Sequence, residues 1–214
     1  MFDYKFYKEI VVTYQHDATD MYDKGFKYTR KAHGLMQSTK LLRIDLSKFT
    51  FTSENRRILA KFPDTEMNLI KLPYQSYDYS LGKWMKDFYL TKFGENLFSV
   101  QVIKKLFQGQ LNMNSLILFT NANKIAGMCL CFENTEILHY AYPFYEQGLV
   151  NTSFGMFMMT SSIKLAHQTK RKYFYLGSYS SKKDNYKLQF KGLEWWNPNH
   201  DAWESDINAL KMTD

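Results

Sequence analysis

Three apolar runs separated by short polar turns, over residues 115–145, constrain this chain more than any other feature. SLILFT, IAGMCLCFE and EILHYAYPFY have strand length and are rich in β-branched and aromatic residues. NANK and the step at Asn134 are turn sequences, so the stretch predicts a meander of antiparallel neighbours. Cys129 and Cys131, the two cysteines of the chain, fall inside its middle run. Their spacing points both thiols to one strand face, where they read as buried small hydrophobes rather than as a bridge or a zinc site.

Upstream, LLRIDLSKF alternates Leu42, Ile44 and Leu46 against Arg43 and Asp45, the pattern of a strand. Thr52 or Ser53 caps a short helix through Arg56, Arg57 and Leu59 that ends before Pro63. A longer helix starts at Ser80 and runs through Trp84, Phe88 and Leu90, with a second from Leu97 to Phe107. Beyond the meander come a helix from Thr152 to Gln168, the strand KYFYLG, a short helix over Lys183–Leu188 and an extended FKGLEWWN. Met1–Thr39 reads as a strand-like start followed by the polar, turn-rich HDATDMYDKG. The order is that of GNAT acyltransferases: an α/β, GNAT-like fold with a mixed, mostly antiparallel sheet flanked by helices. Residues 1–40 are then an N-terminal segment packed on a core of residues 41–214.

Charge is unevenly placed on a chain with a net +7. Ten Lys/Arg face only Asp45 and Glu54 between Lys24 and Lys61, and eight face only Asp184 between Lys164 and Lys191. Two basic blocks of this kind, joined into one positive face, are the footprint of a phosphate-backbone partner. The tail after Gly192 is acidic. Aromatic residues make 17% of the chain, with 16 Tyr among them, too many phenols for a core alone. Charges interrupt every apolar stretch of MFDYKFYKEIVVTY, so neither a signal peptide nor a membrane span is expected, and cytoplasm is the expected compartment.

The richest constellation is KYFYLGSYSSKKDNYKLQFKG. Tyr173 and Tyr175 share one strand face, expected to line a cleft, and Gly177 permits a positive φ or a close backbone approach. Lys182, Lys183, Lys187 and Lys191 beside Tyr179 and Tyr186 combine cations for phosphate with rings for base stacking.

This segment resembles part of the arginyl-tRNA–protein transferases, in which a Tyr-rich strand ends in glycine and tyrosine before a lysine-containing tyrosine motif. The matching positions are Tyr173, Tyr175, Leu176, Gly177, Tyr179, Tyr186, Lys187, Phe190 and Lys191. LHYAYPFYEQGLVNTSFGMFMMTSSIKLA is similar to the family's strand, aromatic turn and helix at Tyr140, Tyr142, Tyr145 and Gly155. DKGFKYT and LLRIDLSKFTFTSENRRILAKF resemble its first half at Gly25, Phe26, Arg43, Lys48, Ser53, Arg56 and Arg57. The family's N-terminal cysteines, implicated in metal or cluster binding, have no counterpart; LMQSTK offers Gln37, Ser38 and Thr39.

The resemblance implies transfer of an amino acid from charged tRNA to an amino group, most naturally a protein or peptide N-terminus as in N-degron formation, or else a small-molecule amine. It implies aminoacyl-tRNA as co-substrate; because the family's N-terminal cysteines are missing, no cofactor or metal is expected. Candidate tRNA contacts are Arg43, Lys48, Arg56, Arg57, Lys182, Lys183, Lys187 and Lys191. Substrate-binding candidates are Tyr140, Tyr142, Tyr173, Gly177 and Tyr186. Tyr175 and Tyr179 are expected to position the reactants, and Glu146 and Asp184, then Glu133 and His139, are the candidate proton acceptors. The rivals are a coenzyme A-dependent N-acetyltransferase, a Fem-like transferase acting on a cell-wall or small-molecule amine, and a non-catalytic tRNA-binding relative. The acetyltransferase requires a glycine-rich pyrophosphate turn before the helix after the meander. YEQGLVNTSFGMF, with Gly148 and Gly155 seven residues apart, does not supply one.

Overall fold

A computed structural model of the chain describes residues 7–13, 18–94 and 96–212. The strand-like opening at Met1–Phe6, the His16–Asp17 portion of the expected turn and the terminal Asp214 lie outside the described residues. The strands and helices are β1 (Lys8–Val11), α1 (Ala18–Asp23), β2 (Phe26–Tyr28), β3 (Leu35–Ser38), β4 (Leu41–Asp45), α2 (Ser53–Ala60) and β5 (Thr65–Lys71). Then follow α3 (Tyr79–Phe93), α4 (Val100–Phe107), β6 (Ser115–Asn121), β7 (Lys124–Glu133), β8 (Ile137–Tyr145) and α5 (Phe154–Gln168). The last are β9 (Tyr173–Ser178), β10 (Leu193–Asn197), β11 (Ala202–Glu204) and α6 (Ile207–Met212). Their hydrogen-bonded order is β11-β10-β4-β9-β8-β7-β6-β5, with β1, β3 and β2 in a small separate sheet.

Two compact units divide the chain. One holds Ser53–Glu133 and Tyr140–Leu165. Here β5, β6 and β7 pair antiparallel, and Ala122 and Asn123 turn β6 into β7 at φ 46 and 61, the left-handed pair a tight hairpin needs. Leu116, Ile117, Phe119, Met128, Leu130 and Phe132 are all buried on these strands, each contributing about 1.5–3 kcal/mol of transfer free energy. Helix α3 begins at Asp78, whose carboxylate accepts from Leu81 N–H at 2.8 Å, and ends at Gly94. It buries Leu81, Met85, Phe88 and Tyr89, one helical face. The Cys129 and Cys131 thiols lie 3.7 Å apart and fully buried, and burial, with Cys131 next, pushes the Cys129 thiol well up.

The other unit holds the described residues up to Thr52, Asn134–His139, and Ala166 onward. Strand β9 is its centre. It pairs antiparallel with β4 and, over Tyr173–Tyr175, parallel with Ile137–His139 of β8. Expected strand KYFYLG and expected strand EILHYAYPFY thus share one sheet. The mixed, mostly antiparallel architecture with flanking helices is the GNAT-like class read from the sequence.

Differences are local. The α3 start is set by Asp78 rather than Ser80, because Asp78 supplies the capping oxygen. Ser99 caps the next helix, so it opens at Val100 rather than Leu97. The stretch expected as a short helix over Lys183–Leu188 is a 3₁₀ helix over Lys182–Gln189. Strand β5 was not expected at all. No helix among the described residues is long and apolar enough to cross a membrane.

Candidate functional site

Strand β9 reads YFYLGS, and neighbours on both faces bury it: Phe174, Tyr175 and Leu176 are no more than 3% exposed. The open phenol face expected for this strand is therefore confined to half-buried Tyr173. Tyr175 packs 4.8 Å from the Tyr22 ring and 6.0 Å from Trp203, and its hydroxyl lies 3.4 Å from Asp23 Oδ1. Burial, ahead of the opposing pull of Arg43, raises this phenol far above the usual range. Burial thus favours the neutral hydroxyl at Tyr175, which points its donor at Asp23.

Arg43 faces Tyr175 in the β4–β9 register. Its guanidinium is sandwiched between the rings of Tyr173 and Trp203, 3.7 and 3.8 Å from their centroids. Nε donates to Glu194 Oε2 and Nη1 to Asp23 Oδ1, both at 2.9 Å. A planar fork is what permits stacking and double pairing together. With 8% side-chain exposure, Arg43 ties α1, β4, β9, β10 and β11 to one another and is not presented to solvent. Lys48 is exposed, but its ammonium also meets carboxylates, Asp45 and Glu194, each at 3.0 Å.

His139 stands opposite Tyr175 across the parallel pair. Its Nδ1 is 2.7 Å from the Tyr22 hydroxyl, which itself lies 3.4 Å from the donating Tyr28 N–H. Burial, then Lys27 and Lys187, hold the imidazole well below its usual pKa. A neutral ring with Tyr22 donating to Nδ1 carries its proton on Nε2. Lys27 is half-buried. Desolvation, followed by repulsion from Lys187 and Arg30, brings its ammonium down to about 8.

The strand ends in a bulge. Leu42 pairs with Gly177 and Arg43 with Tyr175, so β9 carries one extra residue there. Gly177 supplies φ 79, and a Cβ on it would meet nothing within 4 Å. Of the two uses expected for this glycine, the structure shows the positive φ in open space. The segment after it is pinned: Asp184 Oδ2 accepts from Ser180 N–H and hydroxyl at 2.9 and 2.8 Å. Lys187 Nζ reaches Asp184 Oδ1 at 2.7 Å and Ser178 O at 2.8 Å. Burial alone would raise the Asp184 carboxyl, but Lys187 and Ser180 outweigh it and hold it low. Tyr179 is buried with its hydroxyl on Asn185 Oδ1 at 3.0 Å. Lys182, Lys183, Tyr186 and Lys191 are exposed on the same segment.

One unit thus gathers Arg43, Lys48, Tyr173, Tyr175, Gly177, Tyr179, Asp184, Tyr186 and the four lysines from 182 to 191. The other holds Tyr140, Tyr142, Glu146, Arg56 and Arg57. There Tyr140 is buried, Tyr142 half-buried and Glu146 exposed just past β8. Arg56 and Arg57 are exposed on α2, Arg57 on Glu54 at 2.6 Å. Glu133 is buried, accepting from Ser115 Oγ at 3.0 Å and from Lys71. Gly155 serves packing: a Cβ there would come within 2.9 Å of the Tyr145 hydroxyl. Tyr22, Asp23, Lys27 and Trp203, which complete the β9 cluster, were not reached from sequence. Tyr22 and Asp23 lie in a six-residue helix inside a stretch that reads as turn.

Fold and site together define a GNAT-like α/β protein whose central tyrosine strand ends in a glycine bulge beside a lysine-rich segment. The chain belongs to the family described as Arginine-tRNA-protein transferase, C terminus, whose pattern matches residues 4–197. It is 28% identical over 166 residues to an aspartate/glutamate leucyltransferase of Dinoroseobacter shibae, a match over 71% of this chain. The match spans 58% of that relative's length. Among solved structures it is similar to L-PGS from Bacillus licheniformis, with a TM-score of 0.51 and 12% identity. That superposition covers 84% of this chain and 64% of the other, a likeness of fold. FemX superposes with a TM-score of 0.46 and 9% identity, over 81% of this chain and 62% of the other.

Proposed function

We propose that the protein moves an aminoacyl group from charged tRNA onto the α-amino group of a protein or peptide N-terminus. The family match over residues 4–197 carries this reading. The donor ester is already activated: the acceptor nitrogen adds to the ester carbonyl, the bond to the terminal ribose oxygen breaks, and the ammonium proton leaves with that oxygen or to water. Such a reaction needs positioning and charge stabilisation more than covalent help. The ester supplies the free energy, so the reading includes no resident cofactor or metal.

Exposed Lys182, Lys183 and Lys191, with Arg56 and Arg57, serve RNA phosphates, and the exposed Tyr186 ring offers a stacking face for a terminal base. Arg43 and Tyr175 act as positioning residues through the clamp on β9, and Asp184 and Lys187 fix the segment that follows. The leucyltransferase relative favours leucine beside arginine as donor, and acceptors with an acidic first residue. An acetyl-CoA donor is disfavoured by Gly155, whose missing Cβ is taken up by Tyr145 rather than by a pyrophosphate. A charged-tRNA donor favours the cytoplasm as the compartment.

Incubation with tRNA pools charged with each radiolabelled amino acid, and peptides beginning with Asp, Glu or Ala, tests the reading and names the donor. Transfer without ATP or acetyl-CoA is expected. Transfer from acetyl-CoA alone, with none from any aminoacyl-tRNA, overturns it.

A further inference from the structure

A cavity of about 470 Å³ opens at the start of β9, lined by Asp45, Leu46, Ser47, His167, Lys170, Arg171, Lys172 and Tyr173. We propose that it holds a phosphate of the RNA backbone, a second RNA contact at the opposite end of β9 from Gly177. This rests on the aminoacyl-tRNA reading and extends it to a part of the molecule that reading does not use.

Charge balance is the first argument. Asp45 is the one carboxylate on the wall. It already accepts from Ser47 N–H at 3.0 Å and Ser47 hydroxyl at 2.7 Å, and it pairs with Lys48 at 3.0 Å. Neither Lys170 nor Lys172 has an ion-pair partner among the described residues, and both are exposed. The wall therefore keeps a surplus of positive charge. Lys172 Nζ sits 5.0 Å over the Tyr173 ring, and His167 packs edge-on to Phe49 at 5.8 Å, so two of these groups are held against aromatic faces. Another cavity of similar size is lined by Asp64 and Glu66 with no cation, so concavity alone does not gather positive charge here.

Backbone geometry is the second, independent argument. Helix α5 ends in a Schellman turn: Arg171 N–H bonds Ala166 O and Lys170 N–H bonds His167 O, both at 3.1 Å. This satisfies the Ala166 and His167 carbonyls at the helix end. The left-handed residue of that turn is Lys170, at φ 56, where glycine is the unstrained choice. A long cationic side chain is thus kept at the cavity mouth in a conformation that disfavours it.

Lys172 and Ser178 are six residues apart along an extended strand, roughly 20 Å. An RNA duplex carries phosphates over that span, whereas a dinucleotide bound at the Gly177 end does not reach.

The test uses the double variant Lys170→Gly, Lys172→Gln in the full chain. Glycine relieves the left-handed strain, so the variant is expected to fold at least as well as the parent, by thermal melt. Fluorescence anisotropy is read with full-length tRNA and with a single-stranded dinucleotide. The variant is expected to lose about tenfold in tRNA affinity at low salt, to lower the log–log salt slope by about 1.5, and to bind the short strand unchanged. Unaltered tRNA affinity and slope in the variant, with the parent binding normally, overturn the inference and leave the transfer reading standing. No retention of tRNA by the parent at low salt removes both. Inorganic pyrophosphate is titrated as well: binding that the variant loses while tRNA affinity is unaffected assigns the cavity to a small free polyphosphate and overturns the RNA source.

Discussion

Lys27 is the residue whose titration is most visible near neutrality. Its folded value of about 8 lies below the ordinary 10.5. The unfolded chain holds that proton more tightly, so stability rises as pH increases from about 8 to 10.5 and is lower, by a constant amount, below that window. Lys27→Met is expected to be more stable than the parent at pH 7 and to show a flatter midpoint between those limits in urea melts. A parent midpoint that stays level over the same window contradicts the assignment. His139 acts at the other end: the folded ring resists protonation, so its contribution is lost as pH falls through 6.5. Tyr22→Phe leaves the buried His139 Nδ1 without this hydrogen-bond partner, at a cost of about 1–3 kcal/mol in chemical denaturation.

Among the elements, the two glycines that punctuate the site turns separate strain from crowding. Gly25 joins α1 to β2 at φ 76, and a Cβ there would lie 2.2 Å from the Trp196 ring. Gly177 has nearly the same φ, 79, and open space. Gly177→Ala is expected to cost about 1 kcal/mol, the backbone term alone. Gly25→Ala is expected to cost about 3 kcal/mol or more, because β10 must shift to admit it. Equal losses by denaturant titration refute the distinction. The meander, β4 and β9 were legible because each is a contiguous apolar or alternating run. Strand β5 was not: Glu66, Asn68 and Lys71 interrupt TEMNLIK, as suits a strand at the sheet edge. Helix α1 is too short to show a 3.6-residue period. The candidate site was legible for the same reason as far as it follows β9. What escaped is what arrives from a distance: Asp23 and Trp203 meet Arg43 only through the fold, and nothing local in the sequence announces a clamp.

At the scale of the whole molecule, a chain of net charge +7 with exposed Arg56, Arg57, Lys182, Lys183 and Lys191 is expected to bind tRNA with marked salt dependence. Each phosphate contact contributes about 0.7–0.9 to the slope of log affinity against log salt, so several contacts give a slope of about −4. A flat response measured between low and physiological salt removes the electrostatic partner. The buried thiol pair on β7 has a consequence of a different kind. Cys129 and Cys131 have no exposure in the folded state, and burial keeps the Cys129 thiol from ionising. An alkylating reagent therefore finds them only in molecules whose sheet has opened, and at saturating reagent the labelling rate becomes the rate of that opening. The chain thus carries an intrinsic chronometer for its own unfolding, readable by mass increase without any engineered probe.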